Sequence, residues 1–107
     1  MVVSLALYKA LSVFQIKKLR IKWPNDILSE DKKLAGILIE TVIKQQQMQA
    51  AIIGIGLNVN QTKFGNLPNA SSLRLISGKV FSLDEVLQEL LKQMELHFKL
   101  LEQGELD

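Results

Sequence analysis

At 107 residues, 48% of them hydrophobic and 22% charged, the chain has the apolar material for one folded domain, which excludes a disordered segment. A formal charge of +2 is too small to imply a nucleic-acid partner without a clustered basic patch. The lack of cysteine excludes a disulfide framework, a thiolate zinc site and a cysteine nucleophile.

The first segment, residues 1–16, is apolar enough to suggest a signal peptide, but no cation precedes its apolar residues and Lys9 interrupts them. The apolar run 50–57 is far shorter than the roughly 20 residues that span a bilayer. A soluble, cytoplasmic protein with no membrane partner is expected. Val3, Leu7, Ala10, Leu11 and Phe14 form a stripe at i, i+3/i+4 spacing among Ser4, Tyr8, Lys9, Ser12 and Gln15, which predicts an amphipathic helix over residues 2–17. No capping residue precedes it, so it reads as a chain cut in mid-domain.

Leu19, Ile21 and Trp23 alternate with Arg20 and Lys22, the period-2 pattern of a half-buried strand. Pro24 ends it, having no N–H to donate, so Asn25 and Asp26 begin a turn and 29–32 reads as a surface loop. A second strand is expected from Lys33 or Leu34 to about Ile43, apolar on both parities. Gly36 is its anomaly, because a strand glycine is retained for a bulge or for the close approach of a ligand or another backbone. Residues 44–49 read as the hairpin connection, without Gly or Pro to define its turn.

In the third strand Ala51, Ile53, Ile55, Leu57 and Val59 share one face, while Gly54, Gly56, Asn58 and Asn60 share the other. The second face is a smooth floor for a flat ligand, with Asn58 able to donate and accept; a strand crossed at its glycines by a neighbouring element is the alternative reading. Residues 61–69 form a loop, and a short helix over 71–77 is closed by Gly78. Ser82 and Glu85 make a capping box for a last helix, about 83–101, whose stripe of Leu83, Val86, Leu87, Leu90, Leu91, Met94, Phe98 and Leu101 is read as core packing.

Most chemistry-bearing residue types have plain explanations. His97, the sole histidine, has no second metal-type residue at i+4, so no metal site is predicted. Gly54 and Gly56 lack the third glycine and the following helix of a dinucleotide fingerprint. Lys17, Lys18, Arg20 and Lys22 are explained by a solvated strand face, without a nucleic-acid partner. Lys33 and Asp26 differ, because they flank a tight loop at adjacent strand ends, where a rigid sheet can hold a cation and a carboxylate against a ligand.

Taken in order and spacing, Lys22-Trp23-Pro24-Asn25-Asp26-Ile27, Lys33-Leu34-Ala35-Gly36-Ile37-Leu38-Ile39-Glu40 and Gly54-Ile55-Gly56-Leu57-Asn58-Val59-Asn60 resemble the catalytic core of biotin protein ligases. Ala70-Ser71-Ser72-Leu73 is similar to that family's Ala-Thr-Ser-Leu segment. The resemblance implies an α+β fold, a mixed and mainly antiparallel sheet with packed helices of the biotin/lipoate ligase and class II aminoacyl-tRNA synthetase kind. On this reading residues 1–107 are a partial catalytic domain with core motifs over 22–73.

The activity implied is formation of biotinyl-5′-AMP from biotin and ATP with Mg2+, then transfer of biotin to a lysine of a biotin carboxyl carrier domain. By the same resemblance Lys33 is the catalytic lysine, while Trp23, Asn25, Asp26, Gly36, Gly54, Gly56 and Asn58 form the biotin and adenylate site. In a regular strand Lys33 and Gly36 point to opposite faces, so a bulge, or a strand beginning after Lys33, is expected. The family's Gly-Arg-Gly-Arg-x-Gly-Arg loop and the strands before it are absent from this sequence, which suggests a truncated chain. A degenerate biotin-binding module without adenylation and a lipoate ligase are the competing readings, and an exposed sheet edge predicts a homodimer.

Overall fold

The computed structural model describes residues 2–104. Its elements in chain order are α1 (Val2–Val13), β1 (Leu19–Lys22), β2 (Asp26–Ser29), β3 (Lys32–Lys44), β4 (Gln47–Leu57), α2 (Leu73–Ser77) and α3 (Leu83–Glu102). The four strands form one sheet in the order β1-β2-β3-β4, every neighbour antiparallel, with a parallel bridge from Lys33 to Ala70. This is the expected α+β architecture, an antiparallel sheet with helices packed on one face. No helix among the described residues is long and apolar enough to cross a membrane.

The first helix ends at Val13, a turn earlier than its apolar stripe suggests. Gln15 and Lys18 take left-handed backbone angles, φ 61° and 50°, and reverse the chain so that Leu19 pairs with Ser29. Ile16 stays buried, so the apolar residue that extends the helical pattern serves the reversal instead. The buried hydroxyl of Ser29 donates to the Lys17 carbonyl and fastens this corner to β2.

Asp26–Ser29 is a strand, not the turn and loop that its polar residues suggest. Its hairpin with β3 turns at Glu30 and Asp31, both left-handed (φ 50° and 64°), as a two-residue I′-type connection requires. The turn is steadied by Arg20, which donates to Asp31 Oδ1 from Nε and Nη2 at 3.2 and 2.9 Å, and by Lys17 at 2.9 Å from Glu30. Two members of the basic run thus have acidic partners within the fold. Lys17 holds the Glu30 carboxyl below its ordinary range. The β3–β4 turn is likewise confined to Gln45 and Gln46 (φ 54° and 64°).

Val3, Leu7 and Leu11 of α1 pack with Ile27, Leu34, Ile37, Leu73, Val86 and Leu90 in the core behind the sheet. The last helix begins as expected: the Ser82 hydroxyl accepts from the Glu85 N–H at 3.2 Å. Its stripe divides, however. Val86 and Leu90 are buried, whereas Leu83, Leu87 and Leu91 remain 64%, 49% and 50% exposed, so the expectation of a wholly buried stripe is corrected. The helix lies beside α1 rather than down on β4, which leaves one flank open. His97 is buried on this helix with Nδ1 2.7 Å from the Gln93 carbonyl, a local bond that gives it a structural place.

Candidate functional site

Opposite the helices, β3 and β4 present a face built from small side chains. Gly36 pairs with Gly56 and Leu38 with Gly54, so two glycines meet across adjacent strands. A methyl on Gly56 would meet nothing within 4 Å, and one on Gly54 would come no closer than 3.8 Å to the Leu38 carbonyl oxygen. Among the described residues no element crosses the strand at these glycines.

Lys33 reaches this floor through the expected bulge. Ile27 pairs with Ala35 and Leu28 with Lys33, so Leu34 is the extra residue on β3. Leu34 turns fully into the core, and Lys33 and Gly36 come onto the same face. The Lys33 Cε and Nζ lie 3.3 Å from where a Gly36 Cβ would stand, and Nζ is 3.5 Å from Asp26 Oδ1. A bulge leaves backbone groups without ladder partners, and three of them bond outside the β2–β3 ladder. The Lys33 N–H donates to the Asn69 carbonyl at 2.7 Å, the Ser71 N–H donates to the Lys33 carbonyl at 3.0 Å, and the Asn58 N–H donates to the Leu34 carbonyl at 2.9 Å.

Two adjoining recesses open beside this lysine. The larger, about 420 Å3, has Gly36, Gly56 and Asn58 on its floor and Gln61, Phe64 and Leu67 on its loop side. The smaller, about 320 Å3, is bounded by Leu67, Pro68, Asn69 and Ala70, and Lys33 borders both. A third cavity of about 410 Å3 lies behind the sheet between β4 and α3, lined by Leu, Ile, Val and Met, with no polar side chain to orient a reaction. Polar side chains converge instead on the Lys33 face, which makes it the candidate site.

The structure brings Lys33, Asp26, Gly36, Gly56 and Asn58 together. Gly54 lies on the same face, two residues further along β4, outside the recess. Asn25 is tied in through its carbonyl, which accepts from the Ile37 N–H at 2.9 Å. Trp23 stands 69% exposed outside both recesses, its bond to Pro24 cis, and the Pro24 carbonyl accepts from the buried Ser4 hydroxyl at 2.8 Å. Sequence reasoning missed Gln61, Phe64 and Leu67, and reached Ala70 only through the Ala70-Ser71-Ser72-Leu73 segment of the resemblance. The aromatic Phe64 beside Gly65 was the one available signal, in a segment otherwise legible only as loop. No three His, Asp or Glu side chains converge among the described residues, so the floor offers no protein cage for a metal.

A family model described as the Biotin/lipoate A/B protein ligase family matches residues 1–58. The bifunctional ligase/repressor BirA of Bacillus spizizenii is 39% identical over 84 residues, covering 74% of this chain and 26% of that protein. The biotin--[acetyl-CoA-carboxylase] ligase of Paracoccus denitrificans is 45% identical over 60 residues, 54% of this chain and 25% of its own. Among solved structures, the biotin protein ligase of Aquifex aeolicus in complex with biotin and ATP superposes with a TM-score of 0.79 at 32% identity, over 92% of this chain and 41% of that one. The chain thus spans about a quarter of the length of these two relatives. The family match over more than half of the sequence, joined to a fold shared with a biotin ligase, shows that the chain belongs to the biotin/lipoate A/B protein ligase family.

Proposed function

We propose that this chain carries the lysine-bearing part of a biotin protein ligase site, with residues 22–73 as its core. The reaction joins two anions. A carboxylate oxygen of biotin attacks the α-phosphorus of ATP, pyrophosphate leaves, and biotinyl-5′-AMP results. The amine of a carrier-domain lysine then attacks the acyl carbon, AMP leaves, and an amide forms after loss of the amine proton.

The observation that carries the reading is the place of Lys33, whose ammonium stands over Gly36 at the border of two adjoining recesses. A cation there screens the repulsion between the two substrates and stabilises charge growing on the phosphoryl oxygens, an effect of about 3–4 kcal/mol in preorganised sites. The glycine floor admits a flat ring system against the backbone, Asn58 lies beside the adenylate, and Asp26 holds the lysine from the other side. Trp23 and Asn25 line neither recess and enter the proposal through the resemblance alone. Among the described residues Asp26 is the one carboxylate paired with the lysine, and Mg2+ characteristically keeps several waters and binds through one or two carboxylates plus substrate phosphates. It would accordingly be held by the nucleotide, where it neutralises phosphate charge.

A second reading, a biotin-binding module without adenylation, is favoured by a recess with one cation, Lys33, for two anionic substrates. Biotin transfer to a carrier domain with ATP and Mg2+ separates the two. The chain is assayed alone and then mixed with the N-terminal half of a family ligase. Activity on mixing that Lys33→Ala abolishes, with circular dichroism unchanged, supports the ligase reading, and activity retained by Lys33→Ala would sink it. Competition by lipoate in a biotin titration tests the family's other substrate class. Self-association through the arm of β3 and β4 beyond the end of β2 belongs to the same proposal, supported by Leu38, Ile43, Met48 and Ile52, each 58–66% exposed.

A further inference from the structure

The base of the Lys33 side chain is held by residues far from it in sequence. Its N–H and its carbonyl both bond to the segment Asn69–Ser71, at 2.7 and 3.0 Å. At its tip Lys33 has one partner among the described residues, Asp26 at 3.5 Å, and half of the side chain is exposed. Where the ammonium stands therefore depends on where Asn69–Ser71 stands.

That segment is fastened by Asn58. The Asn58 Nδ2 donates to the Ser71 carbonyl at 3.1 Å, its N–H donates to the Leu34 carbonyl at 2.9 Å, and its own carbonyl accepts from the Leu73 N–H at 3.0 Å. One residue just past the end of β4 thus grips both the chain immediately after Lys33 and the segment that clasps it. Ser71 is 4% exposed, so water cannot readily replace the side-chain bond. Of the other ties, Lys32 Nζ to the Pro68 carbonyl at 2.8 Å is exposed and replaceable by solvent, Ala70 N–H to the Leu67 carbonyl at 3.3 Å is local, and Arg74 N–H to the Val59 carbonyl at 2.9 Å lies beyond Ser71.

We infer that Asn58 is a positioning residue for Lys33, acting through the backbone of Asn69, Ala70 and Ser71. The inference rests on the reading of Lys33 given above and assigns a distinct task to a residue otherwise expected only beside the ligand. The position requires a donor. An aspartate of the same shape would set a carboxylate against the Ser71 carbonyl oxygen, and the clasp would loosen.

Amide hydrogen exchange on the full chain tests the link without any ligand. In Asn58→Ala the protection of the Lys33 and Ser71 amides falls at least tenfold relative to that of Ile37, which bonds to Asn25 and serves as the internal control. In Asn58→Asp it is lost near neutral pH and recovered on acidification, when the protonated acid again donates to Ser71. This variant also carries the test should Asn58→Ala fail to fold. Protection unchanged, or lost equally at Ile37, overturns the inference.

Biotin titration of Asn58→Ala, Lys33→Ala and the double variant provides a second readout. A double variant no weaker than Lys33→Ala is expected, whereas additive losses would mean that Asn58 touches the ligand independently and would overturn the inference. If the parent chain binds no biotin, alone or mixed with the N-terminal half of a family ligase, while the exchange pattern holds, the ligase reading fails and the link between Asn58 and Lys33 stands.

Discussion

Lys33 folds back over Gly36, so that its Cε and Nζ occupy the edge of the space that any side chain at position 36 would enter, 3.3 Å from its Cβ. The contact is with the flexible end of a side chain, so Gly36→Ala is accommodated by moving the ammonium rather than the backbone. The expected result is a melting temperature within a few degrees of the parent. Biotin affinity should fall about tenfold, the equivalent of ~1.4 kcal/mol. Calorimetric titration beside thermal melts checks both, and a large loss of stability would mean that the backbone, not the lysine, gives way.

Gly56→Ala isolates the floor from the lysine. A methyl there meets nothing within 4 Å, so stability should hold or rise by up to about 0.5 kcal/mol through the smaller entropy of the unfolded chain. The same methyl stands in the recess and should weaken biotin binding. Urea denaturation together with titration reads the two effects, and unchanged affinity would place the ligand elsewhere on the sheet.

The turn before β2 depends on α1. Ser4, 1% exposed, donates to the Pro24 carbonyl at 2.8 Å, and Ser4→Ala leaves that acceptor without its partner. A loss of about 1–2 kcal/mol in urea is expected. Trp23 fluorescence should report the change locally, because the indole stands one residue from the freed carbonyl.

Stability should also depend on the pair Lys17–Glu30 at acid pH. The hydrogen bond and charge of Lys17 lower the Glu30 carboxyl below its ordinary value of 4.5, so the unfolded chain binds this proton more readily than the folded one. The contribution is present above about 4.5 and is lost as pH falls through the folded value. Lys17→Gln should flatten the acid limb of a melting-temperature profile while leaving the neutral plateau nearly unchanged, since exposed pairs contribute little.

The free arm of β3 and β4 offers a direct test of self-association. Ile52 is 58% exposed and pairs with Glu40, so Ile52→Lys sets an ammonium opposite a carboxylate on the same face. A charge there blunts the edge against further pairing. Sedimentation velocity should show a concentration-dependent dimer for the parent and a monomer for the variant, whereas a monomeric parent would remove the prediction.

Features that depend on a few neighbouring residues were legible in the sequence. The alternation of Ile53, Ile55 and Leu57 with Gly54, Gly56 and Asn58 follows from the period of a strand, and the structure keeps it. Ser82 with Glu85 and the left-handed Gly78 (φ 76°) act within one helical turn, so those helix ends fall where residue type puts them. The bulge before Gly36 was demanded by parity, once Lys33 and Gly36 were required on one face.

Tertiary structure decided what no local pattern encodes. Asp26–Ser29 has two apolar residues between turn formers, and it is a strand because β1 and β3 supply ladders on both its sides. The stripe of α3 reads as uniformly apolar, and only its seat beside α1 determines that Val86 and Leu90 are covered while Leu83 and Leu87 are not. The site divides in the same way. The residue types of Lys33, the glycines and Asn58 were determined by the sequence alone. Their meeting point rests on bonds from Asn58 and Asn69–Ser71 to β3, across some 24 to 38 positions of chain that only folding brings together.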